Sequence, residues 1–253
     1  MAMRNLLLTI LLFCLLAGCS NPTPTPAPNP TLEPIRVAIS PVVGESGKYI
    51  LHTCAWGFPS IVLFTEEESF LSPSVDVDLT LWWGNPNDYP TLNKPGVVAV
   101  PLGTESISII VHQDNPITTF NAQDLYGIYT AQVRDWAEVS SENIQGEIQA
   151  WTYPNAHPLR QVFDPAIIPQ NELTSHAQLA PSPTAMLEAI QDNPGAVGYV
   201  PSDFPVPEAK KISFQPQLEG FRQPILGITT GNPEGNLAAL LYCLQNNFPT
   251  NDL

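Results

Sequence analysis

"GVVAVPLGTESISIIVHQDNPITTFNAQDLYGIYTAQVRDWAEV", residues 96–139, holds two apolar strand runs, a turn and a helix start in one stretch. The runs flank Pro101–Thr104 and are rich in Val and Ile, which suit a pleated, half-buried surface. Asn115-Pro116 ends the second run, because an Asn-Pro step favours a turn. Asn121 then stands as a candidate N-cap, with Leu125, Ile128 and Tyr129 on one face of the helix it opens.

The same reading extends in both directions. Toward the C-terminus, "EIQAWTYP" reads as a strand, and "NAHPLRQVF" (155–163) as a turn into a helix carrying His157 and Arg160. "SPTAMLEAIQDNP" gives a second helix; "GAVGYVP", "AKKISFQ" and "QPILGITT" are strands. "EGNLAALLYCLQNN" closes the chain as an amphipathic helix on Leu237, Leu240, Leu241 and Leu244. Toward the N-terminus, "IRVAIS" (35–40) is a strand, followed by a small-residue turn in which Ser46 is a candidate N-cap. "SIVLF" and "VDVDLTLWWG" add two strands, the second alternating through Val75, Val77, Leu79 and Leu81. Strands alternating with helices predict an α/β fold with mainly parallel sheets covered on both faces.

The first residues, "MAMRNLLLTILLFCLLAGC", have one early cation, Arg4, an apolar run from Leu6 to Leu16, then small residues and Cys19. That is the layout of a signal peptide over 1–18, too short in its apolar part for a comfortable membrane span. Leu16-Ala17-Gly18-Cys19 resembles the lipobox of bacterial lipoproteins, with Cys19 as the lipidated residue; the rival reading is an ordinary secretory signal. Residues 19–34 carry six prolines, a polyproline II stalk by composition.

Removing the signal leaves 8 Lys and Arg against 24 Asp and Glu, a net charge of −16. So acidic a surface argues against nucleic acid and anionic lipid as partners. An anion site would have to be built locally, which screening over roughly 8–10 Å allows. With Cys14 and Cys19 set aside, Cys54 and Cys243 remain, and a disulfide and two buried thiols are both open. No CxxC pair, HExxH or nucleophile elbow is present, so neither a metal site nor an enzyme is expected, and no cofactor is implied.

The order of signals resembles the phosphate-binding proteins of ABC importers. Asn115-Pro116, Leu125, Ile128 and Trp136 match that family's central segment in order, and "PTAMLEAIQDNPGAVGYVP" and "PILGIT…GNLAALLYCLQ" resemble its later ones. The resemblance implies a two-lobed, type 2 periplasmic-binding fold, each lobe a mainly parallel sheet flanked by helices. One lobe would combine 35–100 with 201–253, the other span 101–200, with hinge crossings near Pro101–Gly103 and Tyr199–Pro201. It places Cys54 and Cys243 together in the first lobe, where a bond would clamp the discontinuous ends.

In that family a Ser-Gly-Thr-Arg motif binds the ligand after the strand matching "EIQAWTY", with a phenylalanine three residues beyond the arginine. Arg160 and Phe163 keep the spacing, so His157-Pro158-Leu159-Arg160 occupies the motif with both hydroxyls lost. Arg160 and a protonated His157 are the expected donors there. Ser46 and Gly47 at the first strand-to-helix turn, Trp83 after the third strand and Thr104 at the hinge complete the expected ligand set, with Asn85 and Asp88 nearby. The expectation is a monomeric, lipid-anchored extracytoplasmic protein capturing a small solute, phosphate or another oxyanion, for an ABC permease. A non-transport sensor lipoprotein with a degenerate cleft is the alternative.

Overall fold

A computed structural model describes residues 31–67, 73, 75–139, 146–169, 173–215 and 218–249. The expected signal peptide, Cys19 and most of the stalk lie outside the described residues. Five strands make the first sheet: β1 (Glu33–Ile39), β2 (Ile61–Glu67), β3 (Leu79–Trp83), β4 (Val97–Glu105) and β11 (Gln223–Thr230), in the order β2-β1-β3-β11-β4. Six make the second: β5 (Ile107–His112), β6 (Thr119–Phe120), β7 (Gln149–Thr152), β8 (Gln178–Leu179), β9 (Ala196–Pro201) and β10 (Ala209–Phe214), in the order β6-β10-β5-β9-β7-β8.

Both sheets are mixed. Strands joined through helices on one sheet are parallel: β1 with β2 and β3, and β7 with β8 and β9. Strands that enter or leave at a passage between the sheets run antiparallel, namely β11 with β3 and β4, and β5 with β9 and β10. The helices are α1 (Gly44–Trp56), α2 (Ala122–Tyr129), α3 (Trp136–Val139), α4 (Pro158–Ile167), α5 (Pro183–Gln191) and α6 (Gly235–Asn247). Local chemistry sets several starts. Asn121 Oδ1 accepts from the N–H groups of Gln123 and Asp124 while Asp124 accepts from the Asn121 N–H, a closed capping box. Ser182 caps α5 through the N–H of Ala185 at 3.2 Å.

The passages fall elsewhere than the resemblance implies. β4 runs unbroken through Pro101, with a register shift opposite Ile225/Leu226, and the chain changes sheet only at Ser106. Proline is tolerated because β4 is an edge strand, where a missing N–H costs no ladder bond. "AKKISF" pairs with β5, Ala209 opposite His112 and Ile212 opposite Ile109, so it belongs to the second sheet. The return passage therefore lies between Phe214 and Gln223. Alternation reveals which face of a strand is buried, not which strand it pairs with.

Cys54 on α1 and Cys243 on α6 are disulfide-bonded, their Cα atoms 5.8 Å apart across a separation of 189 residues. The bond ties the last helix to the first. Closing so long a loop contributes roughly 5 kcal/mol in the chain-entropy account. Among the described residues no helix is long and apolar enough to cross a membrane.

Candidate functional site

The turn into α4 is held from inside. His157 is 1% exposed and caps the helix, its Nδ1 accepting from the Leu159 N–H at 3.2 Å. Its ring stacks on Tyr153 with centroids 4.1 Å apart and 15° between planes. Burial lowers its pKa from 6.5 to about 3, so the imidazole is neutral at physiological pH. Tyr153 in turn donates to the Tyr199 carbonyl at 2.8 Å, and Thr152 Oγ1 lies 2.8 Å from Tyr199 Oη. Phe163, one turn along α4, stacks on Tyr199 at 4.0 Å. A protonated, ligand-facing His157 is not what this arrangement provides.

Arg160 is similarly engaged. Its Nε donates to Asp164 Oδ2 at 2.9 Å and its Nη1 to the Tyr153 carbonyl at 2.9 Å. The Asp164 carboxyl is pushed up by burial, against the lowering effect of Arg160, and its Oδ1 finds no hydrogen-bond partner among the described residues. Burial thus opposes the charged form of Asp164 more strongly than the contact with Arg160 supports it. The guanidinium meets a carboxylate one turn away, and an incoming anion would have to compete with it.

The remaining expected residues scatter. Ser46 is exposed inside α1 and does not cap it. The turn is closed instead by the Ser40 carbonyl, which accepts from the N–H groups of Val43 and Gly44 at 3.0 and 3.3 Å. Gly47 is buried, and a Cβ there would run into Val43 Cγ1, so its small size serves packing. Trp83 is fully buried and donates from Nε1 to the Glu105 carbonyl at 3.0 Å. Its neighbour Trp82 is also fully buried, edge-on to Tyr89 at 5.2 Å. Neither indole is exposed to a cleft, because the sheet has apolar cover on both faces at this point. Thr104 is half-buried, its N–H donating to the Pro249 carbonyl at 3.2 Å.

A cavity of about 550 Å³ does lie between the end of β3 and α4. Asn85, Asp88 and Tyr89 line it from the turns after β3, Gln161 and Pro165 from α4, and Gln223 from the start of β11. Gly84 permits the approach, since at φ +139° a Cβ would sit 2.9 Å from Tyr89 Oη. Pro165 lacks the N–H that would reach the Gln161 carbonyl, leaving that acceptor unclaimed by the helix ladder. Among the lining residues Asp88 alone carries a charge. Of the expected cleft residues the structure brings Asn85 and Asp88 to this wall, while Gln161 and Gln223 had no signal in the sequence beyond polarity. Among the described residues no cluster of His, Cys, Asp or Glu suits a metal ion.

A family model described as a PBP superfamily domain matches residues 88–251. The chain belongs to this superfamily. Its fold is that of the phosphate-binding proteins of ABC importers. A Clostridium perfringens protein, described as a phosphate ABC transporter substrate-binding protein with bound phosphate, superposes with a TM-score of 0.71 at 14% identity, covering 84% of this chain and 93% of that one. An ABC-type phosphate transport receptor from Vibrio cholerae gives 0.61 at 16% identity, with 85% and 94% covered. A mutant of OxyR from Corynebacterium glutamicum, with H2O2 bound, gives 0.59 at 13% identity, with 85% and 64% covered. At such identities the likeness is one of fold. No curated protein matches the sequence significantly.

Proposed function

We propose that this PBP superfamily chain is a lipid-anchored, extracytoplasmic solute-binding protein of an ABC importer, acting as a monomer and performing no chemistry on its solute. The lobes would be 33–105 with 223–249, and 107–214, hinged at Ser106 and at the return passage. The observation that carries the reading is the cavity between the end of β3 and α4, bounded by both sheets' elements and by the return passage. A solute there stabilises whichever lobe arrangement gives it contacts on both walls. Cys19 would hold the protein at the membrane and the proline-rich stalk would raise it toward a permease.

The solute we propose is a small polar molecule held by uncharged groups. Asn85, Gln161 and Gln223 offer amide donors and acceptors; of the two cations expected to hold an oxyanion, Arg160 is paired with Asp164 and His157 is neutral. The same pairing favours one second reading, a sensor lipoprotein whose ancestral anion site has become structural.

A thermal-shift panel on the full chain tests the first reading, with sugars, polyols, amino acids, phosphate and sulfate as probes. A true solute at a hundred times its Kd adds about 2.7 kcal/mol of stability, and Asn85→Ala together with Gln161→Ala should abolish that gain. If no probe shifts the midpoint, the transport reading fails and the sensor reading stands.

A further inference from the structure

The first passage between the sheets is built around a buried carboxylate. Glu105 ends β4 at 5% exposure, and its Oε1 accepts from the Ser106 N–H at 2.7 Å and the Ser202 N–H at 2.9 Å. It also accepts from the Ser202 hydroxyl. The Ser202 N–H is shared with the Ser106 carbonyl at 2.8 Å, and Lys211 Nζ donates to the Ser202 carbonyl at 2.6 Å. Ser106 and Ser202 are thereby fixed, although 96 positions separate them.

Both serines line a second cavity, of about 730 Å³, apart from the one between β3 and α4. Phe214 of β10 and Leu218 of the return passage give it accessible apolar surface. Ile107, Ile109, Ile212 and Phe221 are buried in its wall, and Ser108, Ser213 and Glu219 add polar surface. Arg222 lines it too, and among the described residues its side chain makes no ion pair. The other cations of the passage region differ: Lys211 is turned to a carbonyl and Arg160 to Asp164. A cavity of this size falls in the range that small-molecule ligands occupy, and an apolar body with a few placed polar groups is their usual environment.

We propose that this hinge cavity binds an amphipathic monocarboxylate, its carboxylate on the Arg222 guanidinium and its apolar body against Phe214 and Leu218. Arginine's fork matches a carboxylate through two parallel hydrogen bonds. Ser106 lines the same opening and offers its hydroxyl as a further polar contact. Glu219 also lines the cavity, so a dianion meets repulsion that a single carboxylate offsets with its apolar contacts. The site does not depend on the cleft reading, because it shares none of the cleft's lining residues.

Calorimetric titration of the full chain with 4-phenylbutyrate, and with the uncharged 4-phenylbutanol, tests the proposal. The acid should bind saturably, the alcohol at least tenfold more weakly, and Arg222→Gln should weaken the acid at least tenfold while Arg160→Ala leaves it unchanged. No saturable binding of the acid, or equal binding by the alcohol or by Arg222→Gln, overturns it. Methyl NMR of the unmodified chain gives a check free of folding effects. Shifts on adding the acid should centre on Leu218 and the adjoining Ile107, Ile109 and Ile212 methyls, and shifts confined to other methyls overturn the site.

Discussion

The turn at His157–Arg160 and the passage at Glu105–Ser202 are opposites. The first carries residue types that advertise anion chemistry, a histidine and an arginine at a helix start, and folding turns both to structural use. One caps and stacks, the other pairs with Asp164. The second advertises nothing in the sequence, yet it assembles a buried carboxylate, two anchored serines and an arginine with no described carboxylate partner beside a cavity of mixed lining. Charged residues close in sequence to a helix start find local partners, and those partners quench the chemistry. Residues far apart in sequence, such as Glu105 and Ser202, meet only through the sheets, so no local pattern announces them.

Breaking the first region should cost the most. His157→Ala removes the α4 cap and a fully stacked buried ring, and should lower stability by about 2–4 kcal/mol in denaturant unfolding. His157→Asn, which keeps a capping acceptor, should recover part of that loss.

Titration separates the two regions next. His157 falls to about 3 from 6.5 on folding, so its contribution is complete above pH 6.5 and is lost as pH falls toward 3. Glu105 rises to about 7 from 4.5, first through burial and then through the nearby Asp203 charge, so it favours folding at low pH and loses that contribution as pH climbs from 4.5 to 7. Each slope is at most about 1.4 kcal/mol per pH unit. Between pH 4.5 and 6.5 the two oppose each other, and the unmodified chain should show a flat stability profile from this pair. Glu105→Gln should leave stability rising with pH across that window, and His157→Asn should leave it falling. Unchanged profiles in both variants would dissolve the distinction between the regions.

Smaller effects follow. Arg160→Ala strands a half-buried Asp164 and should cost about 1–2 kcal/mol at neutral pH, less once Asp164 is protonated in acid. Ser46→Ala touches an exposed mid-helix side chain and should change stability by no more than about 0.5 kcal/mol.

The fold was largely legible because its signals are local. Asn121 with Asp124, Ser182 before "PTAMLEAIQ", and the leucines of α6 each act within one turn of helix, and each formed the element it marks. Strand partners were not legible. Pro101 reads as a break, but on an edge strand its missing N–H faces outward; "AKKISF" joins the second sheet, a pairing its own alternation cannot encode. The site was legible only as a location. Arg160 and Phe163 mark the turn, while Asp164, one helical turn on, decides what the arginine does, and the Glu105–Ser202 contact spans 97 residues.

Titration of the full chain with inorganic phosphate by calorimetry goes most directly to the claim that the α4 turn has become structural. With Arg160 held by Asp164 and His157 neutral, millimolar phosphate should give no saturable heat at pH 7.5. Saturable phosphate binding that Arg160→Ala abolishes would contradict the account.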